Sequence, residues 1–89
     1  MELYHRIYIN LSDEDSICID EVIPSIKGNH SSLDKAKSCI RKNAAKIREV
    51  KFGDVVVESV SIVEVLEKDG DIETEVTKIY PIDKLEEIK

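Results

Sequence analysis

Residues 55–80 read VVVESVSIVEVLEKDGDIETEVTKIY, and this stretch decides the fold. It consists of two runs rich in Val, Ile and Thr, residue types that favour β-strands, on either side of Asp69-Gly70. Asp-Gly between two such runs is the strongest short-range signal of a two-residue β-hairpin turn. The stretch therefore predicts a long antiparallel hairpin. Pro81 ends it, because proline cannot donate a hydrogen bond to the strand ladder.

The predicted turn also determines which residues of the hairpin lie opposite one another. Counting back from the turn places Val63 opposite Val76 and Val60 opposite Ile79. Residues that lie directly opposite in an antiparallel pair share a face of the sheet. We expect the face that carries Val63 and Val65 to pack against a helix.

The first strand of this hairpin, residues 55–67, is apolar on both faces. A sheet with a helix on one side and water on the other has one apolar and one polar face. Four explanations remain open: a bulge between Glu58 and Ser61 that exchanges the faces, or a cover formed by the C-terminal segment, a second copy or another protein.

We predict that a partner binds the second face of the hairpin, which is apolar at its base and acidic at its tip. The apolar base is too rich in β-branched residues to be left in water, and an uncovered apolar patch marks an interaction site. The predicted partner-binding residues are Val60, Ile62, Glu64, Glu73, Glu75 and Ile79.

Upstream of the hairpin, residues 31–50 predict one long amphipathic helix. Ser31 is a candidate N-cap, and Asp34 follows it at the spacing of a capping box. Apolar residues recur at intervals of three or four and predict the buried stripe of this helix. The stripe consists of Leu33, Ala36, Ile40, Ala44 and Ile47.

The two ends of the chain predict the remaining elements. Residues 3–9 alternate strictly, which indicates a half-buried strand with Ile7 on its inner side and Tyr8 on its outer side. Residues 16–23 predict the hairpin partner of that strand. Residues 82–88 carry an apolar residue at every third position and predict a short amphipathic helix.

Together these elements predict a single α+β domain over residues 1–89. We expect a two-layer sandwich, with a mostly antiparallel four-stranded sheet in the chain order β-β-α-β-β. One long helix packs on one face, and a short helix follows at the C-terminus. A chain of this size buries only about 60% of the surface that it exposes when unfolded, so its core is thin.

Charge is unevenly distributed along the chain. Charged residues make up 36% of it and the formal net charge is −6, yet residues 26–51 are strongly basic. An acidic protein repels nucleic acid at long range, although a basic face can still act locally. The N-terminal residues lack the apolar core of a signal peptide, and no apolar run could span a bilayer. Two cysteines without a secretion signal fit a reducing compartment, so we expect a cytoplasmic protein with no membrane partner.

The sequence contains no motif of a known catalytic or metal site. The soft-metal ligands His5, Cys18, His30 and Cys39 are separated by thirteen, twelve and nine residues, whereas structural zinc sites bring ligands in close pairs. The acidic runs do not follow the calcium-loop pattern, and three isolated glycines cannot form a phosphate-binding loop. We therefore expect no cofactor, no metal and no enzymatic activity.

The basic helix is the candidate for nucleic-acid binding. Its cations fall on both flanks of the apolar stripe instead of converging on the outer face, where a nucleic acid would contact them. We therefore expect nucleic acid to be an unlikely partner and keep this function as the alternative. The residues that would carry it are Lys35, Arg41, Lys42 and Lys46.

The leading functional prediction is a small, non-enzymatic interaction module that docks on another macromolecule. In size and charge the chain resembles the small acidic inhibitors and regulators made by phages and mobile elements. We expect another protein as the partner, with basic or nucleic-acid-handling proteins as candidates, and we also expect a homodimer. A third possibility is an enzyme or ligand-binding subunit whose site forms only between subunits.

Overall fold

A computed structural model describes residues 1–89 and shows a compact α+β fold with six strands and four helices. The strands are β1 Glu2–Leu11, β2 Ser16–Cys18, β3 Asn29–His30, β4 Lys51–Phe52, β5 Val55–Lys68 and β6 Asp71–Pro81. The helices are α1 Ile19–Val22, α2 Leu33–Lys42, α3 Ala44–Arg48 and a C-terminal 3₁₀ helix, Ile82–Glu87. None of the four helices is long and apolar enough to cross a membrane.

The six strands form an antiparallel sheet that is four strands wide. β1 and β5 pair along almost their whole length and form its centre. Two short strands, β2 and β3, share the outer edge of β1, while β4 and β6 share the outer edge of β5. The sheet is four strands wide, as expected, but it contains six strands and not four. The reason is that two strands share each edge of the central β1–β5 pair.

The segment from residue 16 to residue 23 differs from its prediction as a strand. It leaves the sheet after Cys18 and forms α1, which buries Ile19 in the core. The chain returns to the edge of β1 as β3, and Gly28 just before it lies against α1. A Cβ at Gly28 would lie 2.8 Å from the Asp20 carboxyl group, so a larger residue there would require the Asp20 side chain to move.

The predicted long helix is two shorter helices, α2 and α3, and it begins one residue later than expected. Ser32, and not Ser31, is the N-cap, since its side chain accepts a hydrogen bond from the Lys35 backbone N–H at 3.1 Å. Asn43 interrupts the helix at φ −108° and ψ 16°. Its side-chain amide donates to the Cys39 carbonyl at 2.8 Å, an alternative to regular helical bonding that asparagine readily makes.

The core lies between the helices and one face of the sheet. Four members of the predicted helical stripe, Ala36, Ile40, Ala44 and Ile47, are buried there, whereas Leu33 is only partly buried. They belong to one apolar cluster with inner residues of β1 and β5. The C-terminal 3₁₀ helix closes the layer, because Leu85 and Ile88 are also members of this cluster. The apolar spacing of the C-terminal segment therefore indicated helical burial correctly.

The prediction of which face of β5 packs against the helices was wrong. Val60 and Ile62 are fully buried in the core and lie opposite Ile9 and Ile7 of β1. Val63 and Val65 point to the other side of the sheet, where no helix packs.

Two bulges explain the pattern of the hairpin. In β5, Glu58 is an extra residue between the pairs Asn10–Ser59 and Leu11–Val57. Because of this extra residue, Val57 and Val60 both face the core although they are three residues apart. The bulge predicted in this region therefore explains part of the apolar pattern on both faces of β5. In β6, Thr77 is extra, and Val60 therefore lies opposite Tyr80 instead of the predicted Ile79.

Candidate interaction face

The face of the sheet opposite the helices, here called the helix-free face, is the candidate functional site. Its residues lie in cross-strand rows defined by the pairing of β1, β5 and β6. Along the sheet the rows are Glu2–Glu67–Ile72, Tyr4–Val65–Thr74, Arg6–Val63–Val76, Tyr8–Ser61–Ile79 and Asn10–Ser59–Pro81. The strict alternation of β1 and the hairpin register together place these side chains on one surface.

Apolar side chains occupy the β5 and β6 side of this face. Ile79 is 63% exposed and Val76 is 55% exposed, while Val63 is half-buried. Val63 and Val76, together with side chains of β1 and β2, line an open depression of about 290 Å³. Ile72, at the end of β6 near the turn, is also 63% exposed. Covering these exposed apolar side chains with another surface removes them from water and therefore favours association.

A polar network holds the far end of the face. The Asn10 amide donates to Ser61 Oγ at 2.7 Å and to Ser59 Oγ at 3.0 Å, and its oxygen accepts from Ser16 Oγ at 2.7 Å. Three strands are thus linked through one asparagine. The hydroxyls bond to an amide and not to a general base, so the network favours rigidity over nucleophilic chemistry.

Arg6 lies at the centre of the β1 side and is held by its neighbours. Its guanidinium carbon lies 5.6 Å from the centroid of the Tyr8 ring, and its Nε donates to Cys18 Sγ at 3.2 Å. Burial raises the pKa of the Cys18 thiol above its usual value, and a hydrogen bond with Asp20 adds to this effect. The thiol is therefore kept protonated and is a poor nucleophile at neutral pH.

The helix-free face carries very little charge for a chain that is 36% charged. Arg6 is the one charged residue in the four rows from Tyr4 to Asn10. Glu2 and Glu67 form the acidic end of the face beside Ile72. Burial and the neighbouring Glu67 carboxylate raise the pKa of Tyr4, whose hydroxyl donates to Glu67 Oε1 at 3.3 Å, so Tyr4 stays neutral.

The predicted partner-binding residues do not form one surface. Val60 and Ile62 lie under the helices with no exposed area, so they are not available to a partner. Glu64, Glu73 and Glu75 occupy the helix side of the hairpin near its turn, and Glu73 and Glu75 are exposed there. Ile79 lies on the opposite, helix-free face because the Thr77 bulge moves it into the row of Ser61.

The pattern of β1, and not that of the hairpin alone, indicates which face of β5 packs against the helices. The clean alternation of β1 predicts Ile7 and Ile9 inside, and β5 has to align its own buried residues with them. That alignment identifies Val60 and Ile62 as core residues. Val63, Val65 and Val76 were missed because the register between β1 and β5 was not part of the prediction.

Among the soft-metal ligands, the fold brings His5 and His30 together as opposite residues of β1 and β3. His5 is 8% exposed and its Nδ1 has no hydrogen-bond partner, while His30 Nε2 lies 2.9 Å from the Lys27 carbonyl oxygen. No group of three His, Cys, Asp or Glu side chains is arranged to hold a metal ion. Both cysteines are free thiols.

The cations of the helices divide into two sets. Arg41 donates to the Ile88 carbonyl at 2.9 Å, and Arg48 donates to the Ile82 carbonyl at 3.0 Å and pairs with Glu86. These arginines therefore anchor the C-terminal segment and do not pair with acids of the sheet. The other predicted nucleic-acid contacts are three exposed lysines without an ion-pair partner: Lys35, Lys42 and Lys46.

Comparison of the chain with protein-family models, with curated protein sequences and with solved structures found no match.

Proposed function

We propose that this chain is a cytoplasmic, non-enzymatic interaction module that binds another protein through its helix-free face. The observation that carries this proposal is the apolar row of half-buried Val63 and exposed Val76, with exposed Ile79 and half-buried Tyr8 beside it, on a nearly uncharged surface. Solvent-facing strands in a chain so rich in Lys and Glu usually carry charge, so an apolar, neutral face indicates contact with another surface.

The edge of the sheet supports binding through the face over binding through the strand edge. β6 is an open edge strand, but the Thr77 bulge interrupts it and charged residues such as Glu75 and Lys78 flank the bulge. Bulges and charged side chains are the usual devices that prevent edge-to-edge strand pairing. The apolar face has no comparable protection, which makes it the better docking surface.

The broader role is that of an inhibitor or regulator, which is proposed on small size and net charge of −6. The exposed acidic residues Glu73 and Glu75 lie on the opposite side of the hairpin from the docking face. They would remain in solvent when the face is covered and would favour a basic partner through long-range attraction.

The test compares the tagged wild-type chain with the variants Val76→Asp and Glu73→Lys. Val76→Asp places a charge on the helix-free face, whereas Glu73→Lys changes the charge of a neighbouring position on the other side of the same strand. We expect both variants to fold, as judged by circular dichroism. Only Val76→Asp should lose association, either with itself or with a protein retained from a cytosolic extract. Equal association by all three chains would contradict the proposal.

The second candidate function is nucleic-acid binding through α2 and α3, favoured by the three lysines that lack ion-pair partners. His30 adds no charge to them at neutral pH, because burial lowers its pKa. Non-specific binding by cationic proteins is typically about 10⁻⁴–10⁻⁶ M at physiological salt, and we expect no tighter binding here. Submicromolar binding of short duplex DNA or single-stranded RNA that Lys42→Glu weakens would favour this function over docking.

A further inference from the structure

We propose that the partner of the helix-free face is a second copy of the same chain, so that the protein is a face-to-face homodimer. This inference rests on the proposed function, since it names the occupant of the same surface. The chain itself does not cover the face: α2, α3 and the C-terminal 3₁₀ helix all pack on the other side of the sheet.

The charge distribution indicates why this face suits two identical acidic chains. Two copies that each carry a net charge of −6 repel one another. The acids Glu64, Glu73 and Glu75 lie on the helix side of the hairpin, so a face-to-face pair directs them outward and apart. Each copy contributes the cation Arg6 and the acids Glu2 and Glu67 to the contact itself, so the association depends on these charges pairing across the interface.

The rows of the face are also complementary to themselves. The row Tyr4–Val65–Thr74 lies midway between the row of Arg6 and the row of Glu2. A two-fold axis across the strands at this middle row exchanges its two neighbours, which lie about 7 Å away on either side. Isologous contacts of this kind require the same surface to match its own rotated copy.

This rotation opposes Arg6 to an acidic residue on β1 and apolar to apolar side chains on β6, while on β5 it places Val63 over Glu67 of the second copy. On β1, Arg6 lies over Glu2 of the second copy, with Glu67 of that copy on the adjacent strand. On β6, Val76 lies over Ile72 of the second copy, and these two side chains are 55% and 63% exposed in the single chain. On the axis itself, Tyr4 and Thr74 meet their own copies, since Val65 between them is only 4% exposed.

The size of the contact sets the expected strength. The rows of Glu2, Tyr4 and Arg6, at the turn end of the face, form a footprint smaller than the roughly 800 Å² per partner of a standard stable interface. We therefore expect a dissociation constant in the micromolar range. A small contact area can still select this one arrangement of the two copies. Other alignments would place Arg6 over Arg6 or Glu2 over Glu67, and these like charges repel.

The test uses sedimentation equilibrium on wild-type protein and on the variants Ile72→Lys and Val76→Asp, alone and mixed. Both substituted side chains are more than half exposed, so both variants should fold. Alone, each variant places its introduced charge over an apolar side chain of the second copy at two symmetry-related contacts, and we expect its dissociation constant to rise roughly tenfold or more.

The mixture of the two variants tests the rotation itself. At one contact the introduced aspartate of one chain meets the introduced lysine of the other, and at the second contact the original valine and isoleucine meet. A heterodimer should therefore form from two chains that associate poorly alone. Glu73→Lys, on the opposite side of β6, should leave self-association intact.

A monomeric wild-type chain at millimolar concentration would overturn the inference, and so would a mixture in which the two variants do not associate. These results would not by themselves contradict the proposed function, provided that Val76→Asp still loses a different captured protein. A wild-type dimer that neither variant weakens would contradict both proposals, because the helix-free face would then not be its interface.

Discussion

The two faces of β5 contain the same kinds of residue and have opposite surroundings. Val60 and Ile62 face the helices and are fully buried, whereas Val63 and Val65 face the side where no helix packs. Val65 is nevertheless only 4% exposed, and it lies in the row between Tyr4 of β1 and Thr74 of β6. Residue type in one strand therefore does not decide which of its faces is covered.

The residues of the neighbouring strand β1 determine which face of β5 the helices cover. On the helix side, β5 aligns with Ile7 and Ile9, so the buried residues of two central strands meet beneath α2 and α3. On the helix-free side, the same strand aligns with Tyr4, Arg6 and Tyr8, which no helix could cover without burying a guanidinium. The chain thus has one face suited to a helical layer and another suited to a separate surface.

The largest expected effect separates the two faces directly. Ile62→Lys places an ammonium group in the core and should cost roughly 4 kcal/mol or more, enough to unfold a small domain. Val63→Lys, one residue away on the helix-free face, should cost about 1 kcal/mol or less, because the lysine can reach solvent. Urea denaturation of both variants tests this difference. Equal destabilisation would show that the two faces are buried alike.

A smaller effect is expected from the polar network of the helix-free face. Asn10→Ala removes the amide that links Ser16, Ser59 and Ser61 and should lower the free energy of unfolding by about 1–2 kcal/mol. The matched variant Asn10→Ser can keep part of the network and should lose less. A wild-type denaturation midpoint for Asn10→Ala would indicate that water replaces the amide at no cost.

The smallest effect should come from the ion pair that joins α3 to the C-terminal 3₁₀ helix. The Arg48 guanidinium lowers the pKa of the Glu86 carboxyl through their hydrogen bond. The stabilisation that this ion pair contributes is present above the pKa that Glu86 has in the unfolded chain. It is lost as the pH falls through the lower pKa that Glu86 has in the folded chain. Both groups are solvent-exposed, so Glu86→Gln should leave the thermal midpoint at neutral pH unchanged within error. A clear decrease would show that the pair is essential for docking of the C-terminal segment.

Local patterns predicted the elements of this fold better than their arrangement. The Asp69-Gly70 turn and the register between Val63 and Val76 were predicted correctly, because a two-residue turn determines its nearest pairs. The buried stripe through Ile40 was also predicted, since helical spacing is a local property. The register of the hairpin failed beyond the Thr77 bulge, which no turn residue or glycine indicates.

The candidate site was predicted less well, because its location depends on pairing between distant parts of the chain. Val60 and Ile62 were assigned to the wrong face, since the pairing of β1 with β5 spans more than fifty residues of sequence. Ile79 alone among the predicted apolar contacts lies on the helix-free face, and it does so through a bulge. An apolar pattern thus indicated that a second surface exists but not which residues form it.

The most direct test of self-association through the helix-free face is a dilution series of methyl-labelled protein followed by two-dimensional NMR. We expect the methyl resonances of Val63, Val76 and Ile72 to shift with concentration, while those of the core residues Val60 and Ile62 do not. Methyl groups report on their immediate packing, so the two faces of β5 are distinguished within one sample. Concentration-dependent shifts confined to other surfaces, or none up to millimolar concentration, would contradict self-association through the helix-free face.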